Sequence, residues 1–429
     1  MTHREIRVEA LPRVEGEGAM HVEVTDGVLQ DVQLSIYEPP RFFEALLVGR
    51  EFTEPPDITA RICGICPVAY QMSACQAIEQ ACGVSVDGQL RALRRLLYCG
   101  EWVESHTLHI YLLHAPDFLG FPDALQMGAQ HRGALERGLE LKRIGNRIVE
   151  VVGGRAVHPI NVAVGGFFRL PTTAELTDLR AELLMARGLA AETVHWVSGF
   201  DFPELDVDLE MVALSHDEEY AIDVGNVAST AGRRLEVAGF GDLTEEFQVP
   251  YSTAKHARLS GTTPYLVGPL ARWTLNSDRI TGLTADVARE VGQAPTCRNP
   301  FRSIVVRALE VLYAVDEAIR LIDAYTAPAQ PRLHVVPQAG TGHGATEAPR
   351  GLLYHRYSLD QDGLITAAEI IPPTSQNQPA IEHDLWRVVE SNLQLPDDEL
   401  QQIAETTIRN YDPCISCATH FLDMTVTRR

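Results

Sequence analysis

Two Cys-x-x-Cys pairs near opposite ends of the 429-residue chain constrain its fold more than any other feature. Cys63 and Cys66 lie in the segment RICGICP, and Cys414 and Cys417 lie in the segment DPCISCATH. Two intervening residues let both sulfurs of a pair reach one metal ion, and four thiolates favour a soft or borderline transition metal over Mg²⁺ or Ca²⁺. If the two pairs meet in space, the fold closes around a single metal centre.

The spacing alone leaves three interpretations of these pairs open. The first is a catalytic metal site formed jointly by both pairs, and the second is a structural zinc site. The third is a dithiol redox pair at the first segment, where a helix N-terminus would lower a thiol pKa. Zinc ribbons usually place their pairs within tens of residues of each other, whereas here almost the whole chain intervenes. Four further cysteines lack a chelating spacing and are predicted to be small buried apolar residues: Cys75, Cys82, Cys99 and Cys297.

The charge of the chain excludes two classes of partner. There are 36 Lys and Arg residues against 58 Asp and Glu residues, which gives a net charge of −22. Such an acidic chain is not expected to bind nucleic acid or an anionic membrane surface. No apolar run is long enough to span a bilayer, and the first residues lack the apolar stretch of a signal peptide. A cytoplasmic location is therefore expected, with an export signal on a partner subunit as the alternative.

Periodicity predicts a mostly α fold with small antiparallel β sheets, organised as one domain over residues 1–420. Apolar and polar residues alternate over 4–37 around an Asp26-Gly27 turn, which predicts a small sheet. A helical core is expected within 67–410, where an acidic segment, 201–246, reads as a peripheral excursion. A second small sheet is expected over 351–371. Helices are predicted at about 42–48, 68–82, 90–113, 132–152, 173–198, 300–325, 380–392 and 397–409.

Five segments, in order along the chain, together resemble the large subunit of nickel–iron hydrogenases. Besides the two cysteine segments, they are RVEGEG at 13–18, the helix at 43–50, and EAPRG at 347–351 followed by PPTS at 372–375. Many family members have a His where this chain has Tyr70. This variant is similar to the cytoplasmic, bidirectional branch that couples to NAD(P)-reducing or sulfur-reducing partners.

The resemblance implies a ligand set for a binuclear centre. All four cysteines would bind nickel, and Cys66 and Cys417 would also bridge to an iron that carries CO and cyanide. Cys63 and Cys414 would be terminal nickel ligands. A second, hard metal ion, Mg²⁺, is implied near the C-terminus, with three ligands: the Glu44 carboxylate, the Ile370 carbonyl oxygen and His420.

The resemblance also implies roles in catalysis. In heterolytic cleavage of H2, or its reverse, a proton would pass to Cys414 and then to Glu15. Without the resemblance, Glu15 reads as a solvated strand-end residue. Arg350, otherwise a surface arginine, would lie over the metal pair and polarise H2 or hold the cyanides.

Further residues are expected to support these groups. Asp117 and Asp412 would be the carboxylates that position Arg350. Thr374 and Ser375 are predicted to donate hydrogen bonds to the cyanides, with Pro373 beside them. His106 and His109, three residues apart on a helical pattern, could form half a metal site, but a packing and hydrogen-bonding role is favoured.

The resemblance implies several partners. Electrons need an Fe–S small subunit, together with a diaphorase that carries FAD or FMN and reduces NAD(P), because this chain has no further cysteine clusters and no convincing dinucleotide loop. Nickel-insertion factors and an endopeptidase that cuts after His420 are also implied, so residues 421–429 read as a removable extension. The alternatives are a non-catalytic hydrogenase-like scaffold subunit, which would generally lack the four cysteines, and a structural zinc protein.

Overall fold

Long helices pack on one another at the centre of the molecule. A computed structural model describes residues 3–260 and 264–419 of the chain. Helix α4 lies between α7 and α12, and α8 packs against both α7 and α12. The helices described are α1 (Phe43–Leu47), α2 (Pro55–Thr59), α3 (Pro67–Ala81), α4 (Gly88–Leu108), α5 (Ala115–Leu119), α6 (Ala124–Gln130), α7 (Arg132–Gly153), α8 (Thr173–Ser198), α9 (Val237–Leu243), α10 (Pro269–Asn276), α11 (Gly282–Glu290), α12 (Ser303–Asp323), α13 (Pro373–Ser391), α14 (Asp397–Arg409) and α15 (Ile415–Ala418).

Small sheets surround these helices, which confirms the predicted mostly α fold with small antiparallel sheets. The order β1-β2-β3 forms an antiparallel sheet, as does β12-β13-β14, whereas β11 pairs in parallel with β6 in the order β11-β6-β7-β8. The strands are β1 (His3–Val8), β2 (Gly18–Thr25), β3 (Val28–Ile36), β4 (Val162–Ala163), β5 (Gly166–Phe167), β6 (Glu210–Ser215), β7 (Asn226–Ser229), β8 (Arg234–Leu235), β9 (Thr244–Gln248), β10 (Lys255–Leu259), β11 (Tyr265–Leu266), β12 (Gly340–Ala348), β13 (Gly351–Leu359) and β14 (Ile365–Ile371).

Four features differ from the pattern-based expectation. The helix expected over 90–113 ends at Leu108 and continues as a π-helix, His109–His114. Helix α13 begins at Pro373, well before the expected start, and it tolerates Pro379 in its second turn. The acidic segment 201–246 is not wholly peripheral, because Val212 and Leu214 of β6 are buried. The sequence also does not predict strand β12, because its glycine-rich stretch has no apolar alternation.

Glycines in β12 let this strand lie directly on helix α3. A Cβ atom on Gly344 would stand 2.2 Å from the Ser73 carbonyl oxygen, and one on Gly342 would stand 1.9 Å from that of Ala77. The Ser73 and Thr346 hydroxyls are hydrogen bonded at 2.8 Å beside this contact. Helix α3 begins at the first cysteine pair and β12 leads to the EAPRG segment. The close approach of α3 and β12 therefore fixes the distance between the first cysteine pair and the EAPRG segment.

We expect Gly344→Ala to destabilise the fold by about 1–3 kcal/mol, because the added methyl group has no space and both backbones must move. Urea unfolding followed by circular dichroism measures the change. Gly188→Ala is the control: Gly188 lies in the interior of α8 with nothing within 4 Å of the added Cβ, so alanine should be neutral or stabilising there. Equal midpoints for Gly344→Ala and wild type would contradict the account.

Candidate metal centre

The two cysteine pairs meet in space, although they lie at opposite ends of the sequence. Cys63 Sγ lies 3.4 Å from Cys414 Sγ, and Cys66 Sγ lies 3.5 Å from Cys417 Sγ. All four sulfurs lie within 4.8 Å of one another, and all four residues are buried. Two thiolates on one metal ion, with bonds of about 2.3 Å, stand at most about 4.6 Å apart. The separations of 3.4 and 3.5 Å between the two pairs fall within this limit, so the four sulfurs are placed to share a metal site.

Local structure brings each pair to this point. Cys66 is the N-cap of α3, whose first residue is Pro67, and Cys414 is the N-cap of the short helix α15. The Cys414 N–H donates to Thr374 Oγ1 at 3.0 Å, which ties the second pair to the start of α13. The Ile415 N–H donates to the Glu15 carbonyl oxygen at 3.0 Å, which joins the RVEGEG segment to the same pair.

The four buried thiols cannot all ionise without a cation. Hydrogen bonds from the other three cysteines, with Cys414 first, hold the pKa of Cys63 well below its usual value. Burial raises the pKa values of Cys414 and Cys417. One thiolate thus forms at the expense of the others, and burying four negative charges together costs too much unless a metal ion compensates them. The donor set therefore fits a metal ion.

Arg350 lies beside the sulfurs and is 2% exposed. Its Nε donates to the Asp412 carbonyl oxygen at 2.7 Å, and its Nη2 donates to Asp412 Oδ1 at 3.1 Å. Burial alone would lower the pKa of Arg350, but Asp412 and the cysteine sulfurs hold it well above its usual value. The predicted contact between Arg350 and Asp412 is therefore present, and the guanidinium is charged.

Several buried donors near this centre have no hydrogen-bond partner within residues 3–260 and 264–419. They include Nη1 of Arg350 and the Oγ of Ser375, which is fully buried in the first turn of α13. Leaving buried donors unpaired costs about 1–3 kcal/mol each. These two donors lack the acceptor that a bound anion would supply.

Asp117 does not position Arg350, and the prediction that it does is wrong. Its carboxylate accepts hydrogen bonds from Nε and Nη2 of Arg409, both at 2.8 Å, and from Nη2 of Arg13 at 2.5 Å. Although burial opposes it, Arg409 lowers the pKa of Asp117. Asp117 follows the π-helix, which turns it toward the end of α14. There it joins the RVEGEG segment to the residues that precede Asp412.

Glu15 adjoins the second cysteine pair. Its Oε2 accepts a hydrogen bond from the Ser416 N–H at 3.1 Å, and its carbonyl oxygen accepts one from the N–H of Ile415, the residue after Cys414. Burial, and then the charge of Cys63, raise the pKa of Glu15. A carboxyl group with a raised pKa that lies beside a thiol is suited to exchanging a proton with it.

Two of the three residues expected to bind Mg²⁺ lie together. The Ile370 N–H donates to Glu44 Oε1 at 2.7 Å, so the start of α1 meets the end of β14. His420 and the extension at 421–429 lie outside the described residues.

Sequence reasoning missed a buried charged network behind Asp412. Arg272 donates to both carboxylate oxygens of Glu310 at 2.8 Å, and His106 Nε2 lies 2.9 Å from the same carboxylate. Arg307 lies 3.7 Å from Asp412 Oδ2. The buried His106 hydrogen bonds within the core through Nδ1, which accepts from Arg307 Nη1 at 3.4 Å, and the described residues place it in no metal cluster. Arg307 and Glu310, both within the mainly apolar buried face of helix α12, were the signal of this network in the sequence.

The sequence model described as "Nickel-dependent hydrogenase" matches residues 41–139 and 242–420. The chain is 33% identical over 419 residues to the alpha chain of sulfhydrogenase 1 from Pyrococcus furiosus, covering 97% of both chains. It is 32% identical over 426 residues to the alpha chain of sulfhydrogenase 2 from the same organism, covering 98% of this chain and 100% of that one.

Solved structures show the same fold. The crystal structure of an NAD⁺-reducing [NiFe]-hydrogenase in the H2-reduced state superposes with a TM-score of 0.88 at 26% identity, covering 97% of this chain and 99% of that one. A [NiFeSe]-hydrogenase of Dm. baculatum superposes with a TM-score of 0.77 at 22% identity, covering 98% of this chain and 100% of that one, which shows the fold alone.

These matches, together with the four-sulfur site, define an oxidoreductase that acts on H2. The chain belongs to the nickel-dependent hydrogenase family, in which it is a large subunit. The resemblance read from the sequence is thereby confirmed. Within the described residues, no helix combines the length and the apolar character needed to cross a membrane.

Proposed function

We propose that this large subunit oxidises H2 reversibly at a Ni–Fe centre held by its four cysteines. Its electrons would pass through an Fe–S small subunit, and then a flavin diaphorase, to NAD(P). The observation that carries the proposal is the convergence of four buried sulfurs beside a charged Arg350. The likeness to an NAD⁺-reducing hydrogenase and to sulfhydrogenase alpha chains supports the electron route. The cytoplasmic location belongs to the same proposal.

The residues present fit the binuclear centre. Cys63, Cys66, Cys414 and Cys417 would hold nickel, with Cys66 and Cys417 shared with iron, and the unpaired donors of Arg350 and Ser375 would hold cyanides on that iron. Thiolate-bound nickel beside such an iron supplies the redox chemistry that splits H2. Thr374 Oγ1 accepts a hydrogen bond from the Cys414 N–H, so the hydroxyl hydrogen of Thr374 can be donated to an acceptor in the site.

The side chains of this chain then move the proton. Glu15 lies beside Cys414, and burial raises the pKa of Glu15, which strengthens its affinity for a proton. Arg350, fixed by two hydrogen bonds to Asp412, keeps a positive charge over the sulfurs. Burial excludes bulk water from the sulfurs, so the proton leaves through the carboxyl group of Glu15.

Three further components complete the proposal. Electrons need a partner, because the described cysteines form one four-sulfur cluster and the remaining four cysteines are separate and buried. Glu44, the Ile370 carbonyl oxygen and His420 would bind Mg²⁺. Nickel-insertion factors would load the site, and an endopeptidase would then remove residues 421–429.

The proposal is tested on protein purified anaerobically with its natural partners. We expect nickel and iron in the chain, and H2-dependent reduction of NAD⁺ or NADP⁺. Reduction of sulfur alone would keep the hydrogenase and reject the NAD(P) route. Zinc as the only metal would support the structural zinc protein, and a folded complex without bound metal would support the scaffold subunit.

A further inference from the structure

Arg41 lies between the two cysteine segments and contacts the backbone of both. Its Nη2 donates to the carbonyl oxygen of Ile62, the residue before Cys63, at 2.6 Å, and the same nitrogen donates to the carbonyl oxygen of Ser416. Its backbone N–H donates to the Thr419 carbonyl oxygen at 2.7 Å. One arginine therefore joins segments that are separated by most of the sequence.

Surrounding groups fix the orientation of this guanidinium. Its carbon lies 5.5 Å from the centre of the Phe43 ring, and Nε lies 3.8 Å from Glu38 Oε1. Glu38 in turn accepts a hydrogen bond from Ser416 Oγ at 3.1 Å. Every polar group of Ser416 is thus engaged: its N–H by Glu15, its hydroxyl by Glu38 and its carbonyl oxygen by Arg41.

We propose that Arg41 is a positioning residue of the metal centre, which sets the separation of the two cysteine segments and hence the geometry in which the four sulfurs hold a metal ion. The proposal rests on the proposed function only for the identity of that metal.

The physical argument lies in the two carbonyl groups. The oxygens of Ile62 and Ser416 point at the same nitrogen, so without a cation between them their partial negative charges would repel and the segments would separate. Arginine suits this position because its planar guanidinium is always charged and presents several donors in a fixed geometry. Lysine carries its charge on a flexible stem, so it holds the two carbonyl oxygens less firmly.

The test uses the full chain, freed of metal under reducing anaerobic conditions and titrated with Co²⁺, whose thiolate charge-transfer bands report four-sulfur binding. We expect Arg41→Gln to weaken Co²⁺ binding by about 10–100-fold, as is typical when a group supporting metal ligands is removed. Arg41→Lys should show a smaller loss. Arg50→Gln is the matched control. Arg41 precedes helix α1 and Arg50 follows it, and the Arg50 side chain is 47% exposed and pairs with Glu54 at the surface.

A purely structural role would lower the thermal stability of the metal-free chain without altering the Co²⁺ spectrum of the loaded one. We expect the reverse, a small change in stability and a shifted ligand-field spectrum. If Arg41→Gln does not fold, Arg41→Lys decides. Wild-type affinity and spectrum in either folded variant would overturn the proposal. An equal loss of Co²⁺ affinity in Arg50→Gln would also overturn it, as would a wild-type chain that binds no Co²⁺ through thiolates. Natural enzyme without nickel would contradict the proposed function but leave this comparison decisive.

Discussion

Glu15→Gln is expected to slow H/D exchange by about 10²–10⁴-fold while the nickel and iron contents stay at wild-type levels. Glutamine keeps the size of the side chain and can still meet the Ser416 N–H, but it cannot take up the proton that Cys414 releases. Exchange between D2 and water, measured by mass spectrometry, isolates this step because it needs no electron acceptor.

Glu17→Gln is the control for that variant. Glu17 lies two residues further along the same segment and is exposed, so its exchange rate should equal that of wild type. Exchange by Glu15→Gln close to the wild-type rate, with metals bound, would remove Glu15 from the proton route.

Arg350→Lys is expected to lower the rate of H2 oxidation by about 10²–10³-fold, the usual cost of losing one well-placed electrostatic donor. The charge is retained, but lysine cannot make both hydrogen bonds to Asp412 and still present a donor toward the sulfurs. The rate is measured by H2-dependent reduction of an artificial dye, which bypasses the natural electron partner.

Arg356→Lys controls for a general effect of the substitution, since Arg356 lies on the strand that follows Arg350 and pairs with Glu369 in a partly exposed ion pair. It should retain the wild-type rate. A wild-type rate in Arg350→Lys, or an equal loss in Arg356→Lys, would contradict the role assigned to Arg350.

The sequence predicted those features that depend on residue type and spacing. The Cys-x-x-Cys spacing predicted two chelating pairs, and the structure brings Cys63 and Cys66 to Cys414 and Cys417. Apolar periodicity located helices such as α7, because its buried face repeats with the helical period. The contact between Arg350 and Asp412 followed from the resemblance.

Features that depend on tertiary contacts were not predictable in this way. Asp117 was assigned to Arg350, but a competing arginine, Arg409, approaches it from a helix near the other end of the chain. Arg41 has no motif of its own, because its role comes from two backbone carbonyl groups that become neighbours only after folding. Strand β12 is buried because glycine permits close contact with α3, and glycine carries no periodic signal.

Infrared spectroscopy of the natively purified protein tests the central claim most directly. Metal-bound CO and cyanide absorb in a window where protein does not, and no amino-acid side chain can supply these ligands. We expect CO and cyanide bands in protein that contains nickel and iron. Protein with four intact cysteines, a bound zinc ion and no such bands would contradict the Ni–Fe centre.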